Sequence, residues 1–330
     1  MSYRIRPDSP VRKNVRRLAR RELDRSLAAL ADPGELGLEE TVHDVRKRCK
    51  KVRGVLRLAR PGLGREYSRA NAGVRDAARE LSGLRDAHAT LATFDELVAA
   101  TRGDAADGGA LARVRRGLAA RAGAAGDADA QRALARAAER LAEVRRRVPR
   151  WSPDDDVAVL LGGLEANYAR ARRAFHASLD DPADEALHEW RKRVKYGWHH
   201  AKLMHPVAPS ALGPMAKRLK DLSDGLGDDH DLAVLRALIV AAPRDFGGAA
   251  SKEAVALIDG ARGDLQDRCL RLGARIYAEP APAFRKRLGG YWAAWQTLGR
   301  ERPAGEIGDL ASEPADRPPH AADLLSAAAR

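Results

Sequence analysis

The chain has 330 residues, enough for one large domain or two ordinary ones, and its 45% hydrophobic content can supply a core. Lys and Arg number 59 against 46 Asp and Glu, so the net charge is +13 and the pI lies near 10.1, a balance suited to phosphate polymers, nucleic acids or anionic membrane surfaces. No apolar run approaches the roughly 18 residues of a membrane span, and Met1 to Arg6 leads into prolines and charges with no apolar core for a secretory leader; a soluble cytoplasmic protein is expected.

Ala, Leu, Arg and Glu recur at helical spacing with no period-2 stretch of β-branched residues, which predicts an all-α fold. The first helix is predicted over 10–31 and carries Arg12 and Arg16. The second, over 38–60, holds the first informative stripe: His43, Arg46, Lys47, Lys50 and Arg57 share about 100° of helix face, opposite Val45, Cys49, Val52 and Leu56. Pro61-Gly62 ends it. Further helices are predicted over 65–83, 86–102, 109–123 and 127–147, with a small loop at 101–109. The pattern breaks at 149–155, read as a linker between an N-terminal half (1–148) and a C-terminal half (156–299).

After a helix at 156–180, the segment 184–204 repeats the stripe 145 residues later, as His188, Arg191, Lys192, Lys195 and Lys202 opposite Trp190, Val194 and Ala201. Helices at 210–225, 229–241, 250–274 and 281–298 follow, and residues 300–330, rich in acids and prolines, read as a disordered tail. The repeat extends further: Leu84-Arg85-Asp86-Ala87-His88 corresponds to Leu226-Gly227-Asp228-Asp229-His230 at an offset of 142, and Arg75 aligns with Lys217. Two such halves are expected to pack about a pseudo-twofold axis and bring both stripes to a central basic groove or pore.

An exposed helix normally mixes charge signs, yet between Thr41 and Arg60 eight cations face the single acid Asp44. Arg46 beside Lys50 and Lys47 beside Lys51 repel, and that cost, present in both copies, points to an anionic ligand. Asp228 is read as a helix cap after Gly227, and Asp86 likewise, in preference to a metal site, because consecutive helical residues point about 100° apart and cannot converge on one ion. Trp190, Tyr196 and Trp198 are read chiefly as core. The two cysteines, Cys49 and Cys269, lack disulfide or zinc spacing and are expected as buried free thiols. No phosphate-binding glycine loop, zinc-protease helix or nucleophile elbow occurs, so neither catalysis nor a metal nor a cofactor is expected.

His43-x-x-Arg46-Lys47-x-x-Lys50-Lys51-x-Arg53 and His188-x-x-Arg191-Lys192-x-x-Lys195, each followed by a Leu-x-Asp segment, resemble the CHAD domain, the conserved histidine α-helical domain, over roughly residues 3–299. The opening Ser2-Tyr3-Arg4-Ile5 is similar to members that stand alone. The resemblance implies two helical-bundle halves around a basic cavity, non-enzymatic binding of inorganic polyphosphate, and gathering on polyphosphate granules. It carries ligand contact onto His43, Arg46, Lys47, Lys50, Arg57, His188, Arg191, Lys192, Lys195 and Lys202. Secondary contacts are expected from Arg12, Arg16, Arg53, Arg75, Arg79, Arg172, His199, Lys217 and Lys220. The alternatives are a nucleic-acid-binding protein, suggested by the pI and the Trp190 to Trp198 cluster, and a metal-dependent phosphohydrolase, suggested by the His and Asp segments. The sequence departs from its own repeat where Gly54 stands opposite His199 and Arg53 opposite Trp198.

Overall fold

A computed structural model describes residues 3–6, 8–32, 37–82, 86–102, 109–122 and 127–298. The expected tail, most of the 101–109 loop, and Leu84, Arg85 and the side chains of Asp86 and His88 lie outside the described residues. Eleven α-helices follow one another, and no strand occurs among the described residues. They are α1 (Val11–Ala31), α2 (Gly37–Leu58), α3 (Arg60–Glu80), α4 (Asp86–Arg102), α5 (Ala110–Ala122), α6 (Asp127–Arg147), α7 (Ala158–Asp180), α8 (Asp184–Met204), α9 (Pro209–Ala241), α10 (Gly248–Ile276) and α11 (Ala281–Leu298). No described helix is long and apolar enough to cross a membrane.

The stripe helices α2 and α8 are built alike. Each opens on two acids, Glu39 and Glu40 or Asp184 and Glu185, and closes on a cation, Arg57 or Lys202, complementing the helix dipole at both ends. Their apolar seams are fully inside: Val45, Cys49, Val52 and Leu56 in α2, and Trp190, Val194 and Ala201 in α8. Burying a side chain such as Leu56 contributes about 1.5–3 kcal/mol, which exceeds the few tenths lost to each i, i+4 repulsion on the opposite face. Both thiols are buried, and burial pushes each up to about 12, which keeps them protonated.

Packing does not follow the two halves of the sequence. One core joins α1, α2, α3 and α6 to α7, α8, the first part of α9 and α11. A second core joins α4 and α5 to the last part of α9 and the first part of α10. Within the expected linker, 149–155, Trp151 is fully buried, and its carbonyl accepts a hydrogen bond from Arg16 Nε at 2.6 Å. Helix α3 starts earlier than its periodicity predicts, through a non-helical turn at Gly64 (φ 50°, ψ −130°), a left-handed conformation that glycine adopts without a Cβ clash.

The helix break expected at Gly227 is absent. Helix α9 runs unbroken through Gly225, Gly227 and Asp228, so Asp228 is an interior residue and caps nothing. The physical reason is tertiary. A glycine inside a helix costs about 1 kcal/mol, but a Cβ at Gly225 would sit 2.8 Å from Cys269 Sγ of α10, and Gly227 lies beneath the Arg191 guanidinium of α8. Close approach of two neighbouring helices outweighs local propensity.

Candidate anion-binding site

Helices α2 and α8 touch where the repeat loses its symmetry. A Cβ on Gly54 would lie 2.9 Å from Tyr3 Oη and 3.0 Å from His199 Cβ, and the Gly54 carbonyl accepts a hydrogen bond from His200 Nε2 at 3.2 Å. Equivalent positions of the two stripes meet there, and two full side chains would collide. Glycine on one copy gives space to histidine on the other.

One group of cations gathers around this contact. The N-terminal segment is held to the end of α8 by Ile5 N donating to the Leu203 carbonyl at 2.9 Å, which brings Arg4 near Lys202. Lys195 and Lys202 place their ammonium groups 4.6 and 4.7 Å from the Trp198 ring, and Lys51 lies 5.7 Å from the Tyr3 ring. Tyr3 in turn donates to the Lys51 carbonyl at 2.7 Å. Burial, followed by the charges of Lys51, Lys47, Arg4 and Lys195, brings Lys202 down to about 8. The buried His199 is held well below its usual value by desolvation, then by Lys195, Lys202 and Lys51.

A cation held at about 8 against an unfolded value near 10.5 costs the folded protein stability at neutral pH, and that cost disappears as pH rises from about 8 to 10.5. Lys202→Met keeps the stem and removes the charge. Urea unfolding near neutral pH should show the variant more stable by about 1–2 kcal/mol, the shift being discounted for partial exposure. A variant less stable than wild type would mean that Lys202 is held by attraction.

A second group is dominated by arginine. The Arg57 guanidinium stacks 4.0 Å above the Tyr196 ring and donates to Tyr67 Oη at 3.0 Å, while Arg53 lies 5.7 Å from the same Tyr196 ring and donates to Asn71 at 3.2 Å. Arg60 covers Tyr67 at 4.8 Å. Arg53 is lowered by burial first and then, among its neighbours, by Arg57 and Arg75; Arg170 is lowered by burial and then by Arg60, Arg193 and Arg57. Arg57 Nε is buried without a hydrogen-bond acceptor.

The remaining candidates divide. Arg46 donates to the Ala78 carbonyl at 3.1 Å, His43 is half-buried beside it on α2, and Lys50 is exposed. Lys192 pairs with Glu189, Lys220 with Asp224 at 2.5 Å, and Arg75 with Asp76 at 2.8 Å. Arg79 and Lys217 are exposed. Arg12 pairs with Asp155 at 3.2 Å, Arg16 donates to the Trp151 carbonyl, and Arg172 donates to the Tyr277 carbonyl at 3.0 Å. Sequence reasoning missed Arg4, Arg60 and Arg170 as members of the cation groups, and set Lys51 against Lys47 without naming it a ligand contact. It also missed Tyr3, Tyr67, Tyr196 and Trp198 as their aromatic beds. Arg4, Arg60 and Arg170 arrive from elsewhere in the chain, with no local signal to announce them.

Around Asp228 the metal reading finds no ligand set, since no group of three His, Cys, Asp or Glu side chains fit to hold a metal converges among the described residues. Asp229 is engaged by Arg262 at 2.9 Å and Gln266 at 2.8 Å.

The fold and the site together define an all-α protein in which two stripe helices bring cations from distant parts of the chain onto shared aromatic supports. The CHAD domain family model matches residues 17–240, more than half of the chain and inclusive of both stripe helices, and the chain belongs to that family. The domain is associated with polyphosphate-related proteins. No curated protein matches the chain.

Proposed function

We propose that this protein binds inorganic polyphosphate without transforming it, through the paired faces of α2 and α8, and that binding gathers it on polyphosphate granules. The observation that carries the reading is the gathering of Lys51, Lys47, Arg4 and Lys195 around Lys202, whose charge is disfavoured by burial and by these like-charged neighbours and would be relieved by a polyanion; Lys51 itself is lowered by burial first, against the attraction of Glu22. The groups differ in kind: mobile ammonium charges at the stripe contact, and forked guanidinium groups beyond it that can grip two phosphoryl oxygens at once. A helix advances about 10 Å in seven residues, a length that spans several units of a linear phosphate chain.

The aromatic rings favour a backbone polymer over nucleobases. Trp198 is 9% exposed and lies close to two ammonium groups, while Tyr196 is 5% exposed and stacked against Arg57, so neither offers a free face for a base. Competition at about 0.15 M salt, where exposed charges are screened beyond about 8 Å, tests the reading. Long-chain polyphosphate should displace single-stranded DNA and heparin, with affinity falling steeply as salt rises. Equal affinity for all three polymers would reject a dedicated site, and phosphate release in the presence of Mg²⁺, Mn²⁺ or Zn²⁺ would reject a pure binder.

A further inference from the structure

The break that α9 fails to make at Gly227 leaves Asp228 facing the stripe. Arg191 of α8 lies over Gly227, its Nε and Nη2 each 3.6 Å from where a Cβ would stand. The His188 and His230 rings face one another with centroids 4.7 Å apart. Two polar atoms in this cluster are buried with no hydrogen-bond partner, Asp228 Oδ2 and Arg191 Nε. Two buried polar atoms left unsatisfied each cost about 1–3 kcal/mol, unless something seated there bonds to both.

We propose that the pocket formed by His188 and Arg191 of α8 with Asp228 and His230 of α9 receives the terminal phosphate of a polyphosphate chain, distinguishing a chain end from the units between ends. This rests on the polyphosphate reading and adds to it a subsite with its own chemistry. An internal phosphoryl unit has a single acidic oxygen, ionised at any physiological pH, and presents acceptors only. A terminal unit has a second ionisable oxygen, comparable to a phosphomonoester with a second ionisation near about 6. Its extra charge suits Arg191 and the two imidazoles, and one proton shared with a carboxyl group makes a hydrogen bond in place of a repulsion.

The surroundings keep that proton on Asp228. Burial first, then Asp231 and Asp224 of α9 and Glu96 of α4, raise its carboxyl to about 8 against the pull of Arg191. Both imidazoles are lowered, His188 by burial and then by Arg191 and Lys192, and His230 by burial and then by Arg191 and His188. Asp229 is neutralised by Arg262 of α10. At neutral pH this cluster therefore holds a protonated carboxyl and neutral rings, ready to donate to a phosphate dianion. Above about 8 the carboxylate ionises and repels it.

Linear tripolyphosphate and cyclic trimetaphosphate contain the same number of phosphorus atoms, and only the first has ends. Calorimetric titration of the full chain with both, from near neutral pH to about 9, gives a linear-over-cyclic affinity ratio in which charge lost from lysines largely cancels. The wild-type ratio should fall by about tenfold, or about 1.4 kcal/mol, relative to Asp228→Asn, whose amide cannot ionise. His230→Gln should lower the ratio near neutral pH and provides a test if Asp228→Asn does not fold. Superimposable pH profiles, or a His230→Gln ratio equal to wild type, would overturn the end pocket. Wild-type binding of long-chain polyphosphate, measured alongside, separates that failure from failure of the polyphosphate reading.

Discussion

The Lys50→Glu, Lys195→Glu double variant should fold normally and bind long-chain polyphosphate at least about 100-fold more weakly than wild type. Each substitution replaces attraction for a phosphate by repulsion. Even at an effective dielectric near 80, unit charges about 4 Å apart interact by about 1 kcal/mol, and near a protein surface by more, so each reversal costs roughly 1.4 kcal/mol or beyond. The fold should tolerate both changes. Lys50 is exposed, Lys195 is only part-buried, Glu is a good helix former, and an acid among crowded cations relieves their repulsion. Circular dichroism and urea unfolding verify the fold; fluorescence or calorimetric titration reads the affinity. A folded double variant with unchanged affinity would place the ligand elsewhere on the molecule.

Acid should weaken the fold through the histidines buried at the α2–α8 contact. His200 is brought down to about 3 by burial, and His199 lies well below its usual value from burial and then Lys195, Lys202 and Lys51. An unfolded histidine titrates near 6.5. Below that pH the unfolded chain takes up protons that the folded chain refuses, so the stabilising contribution is complete above about 6.5 and is lost as pH falls toward the folded values. Each such group contributes about 1.4 kcal/mol per pH unit. Asp228, raised to about 8, acts in the opposite sense over this range, since the folded state holds its proton first, and it cancels about one histidine. The net loss between pH 6.5 and 5 is therefore about 2 kcal/mol, read by urea unfolding at the two values. His200→Asn should flatten the profile by about one proton. An identical urea midpoint at both pH values would show that these imidazoles become charged without cost.

What could be read from the sequence is what repeats at short range. The period of the seam residues Val45, Cys49, Val52, Leu56 and of Trp190 and Val194 specified two helices and their inward faces, and all six are buried. Pro61-Gly62 marked where the first stripe helix stops, and α2 ends at Leu58. What escaped depends on partners remote in the chain. Nothing within a few residues of Gly227 announces that Arg191 will lie over it, so local glycine propensity suggested a break where packing keeps a helix. Arg4 reaches Lys202 only because Ile5 bonds to Leu203, and Arg170 joins the arginine group only because α7 packs beside α8. Sequence periodicity places Gly54 and His199 at equivalent positions, but their inequality makes physical sense only once the two positions touch.

Helix α9, 33 residues and about 50 Å long, has its first part in one apolar core and its last part in the other. Asp228 lies near the middle of that shaft. A rod embedded at both ends cannot tilt in one core without levering against the other, so strain applied beside Asp228 reaches α4 and α5 as directly as it reaches α8. Cooperative melting of the two cores as a single unit is the behaviour expected of this shared axle.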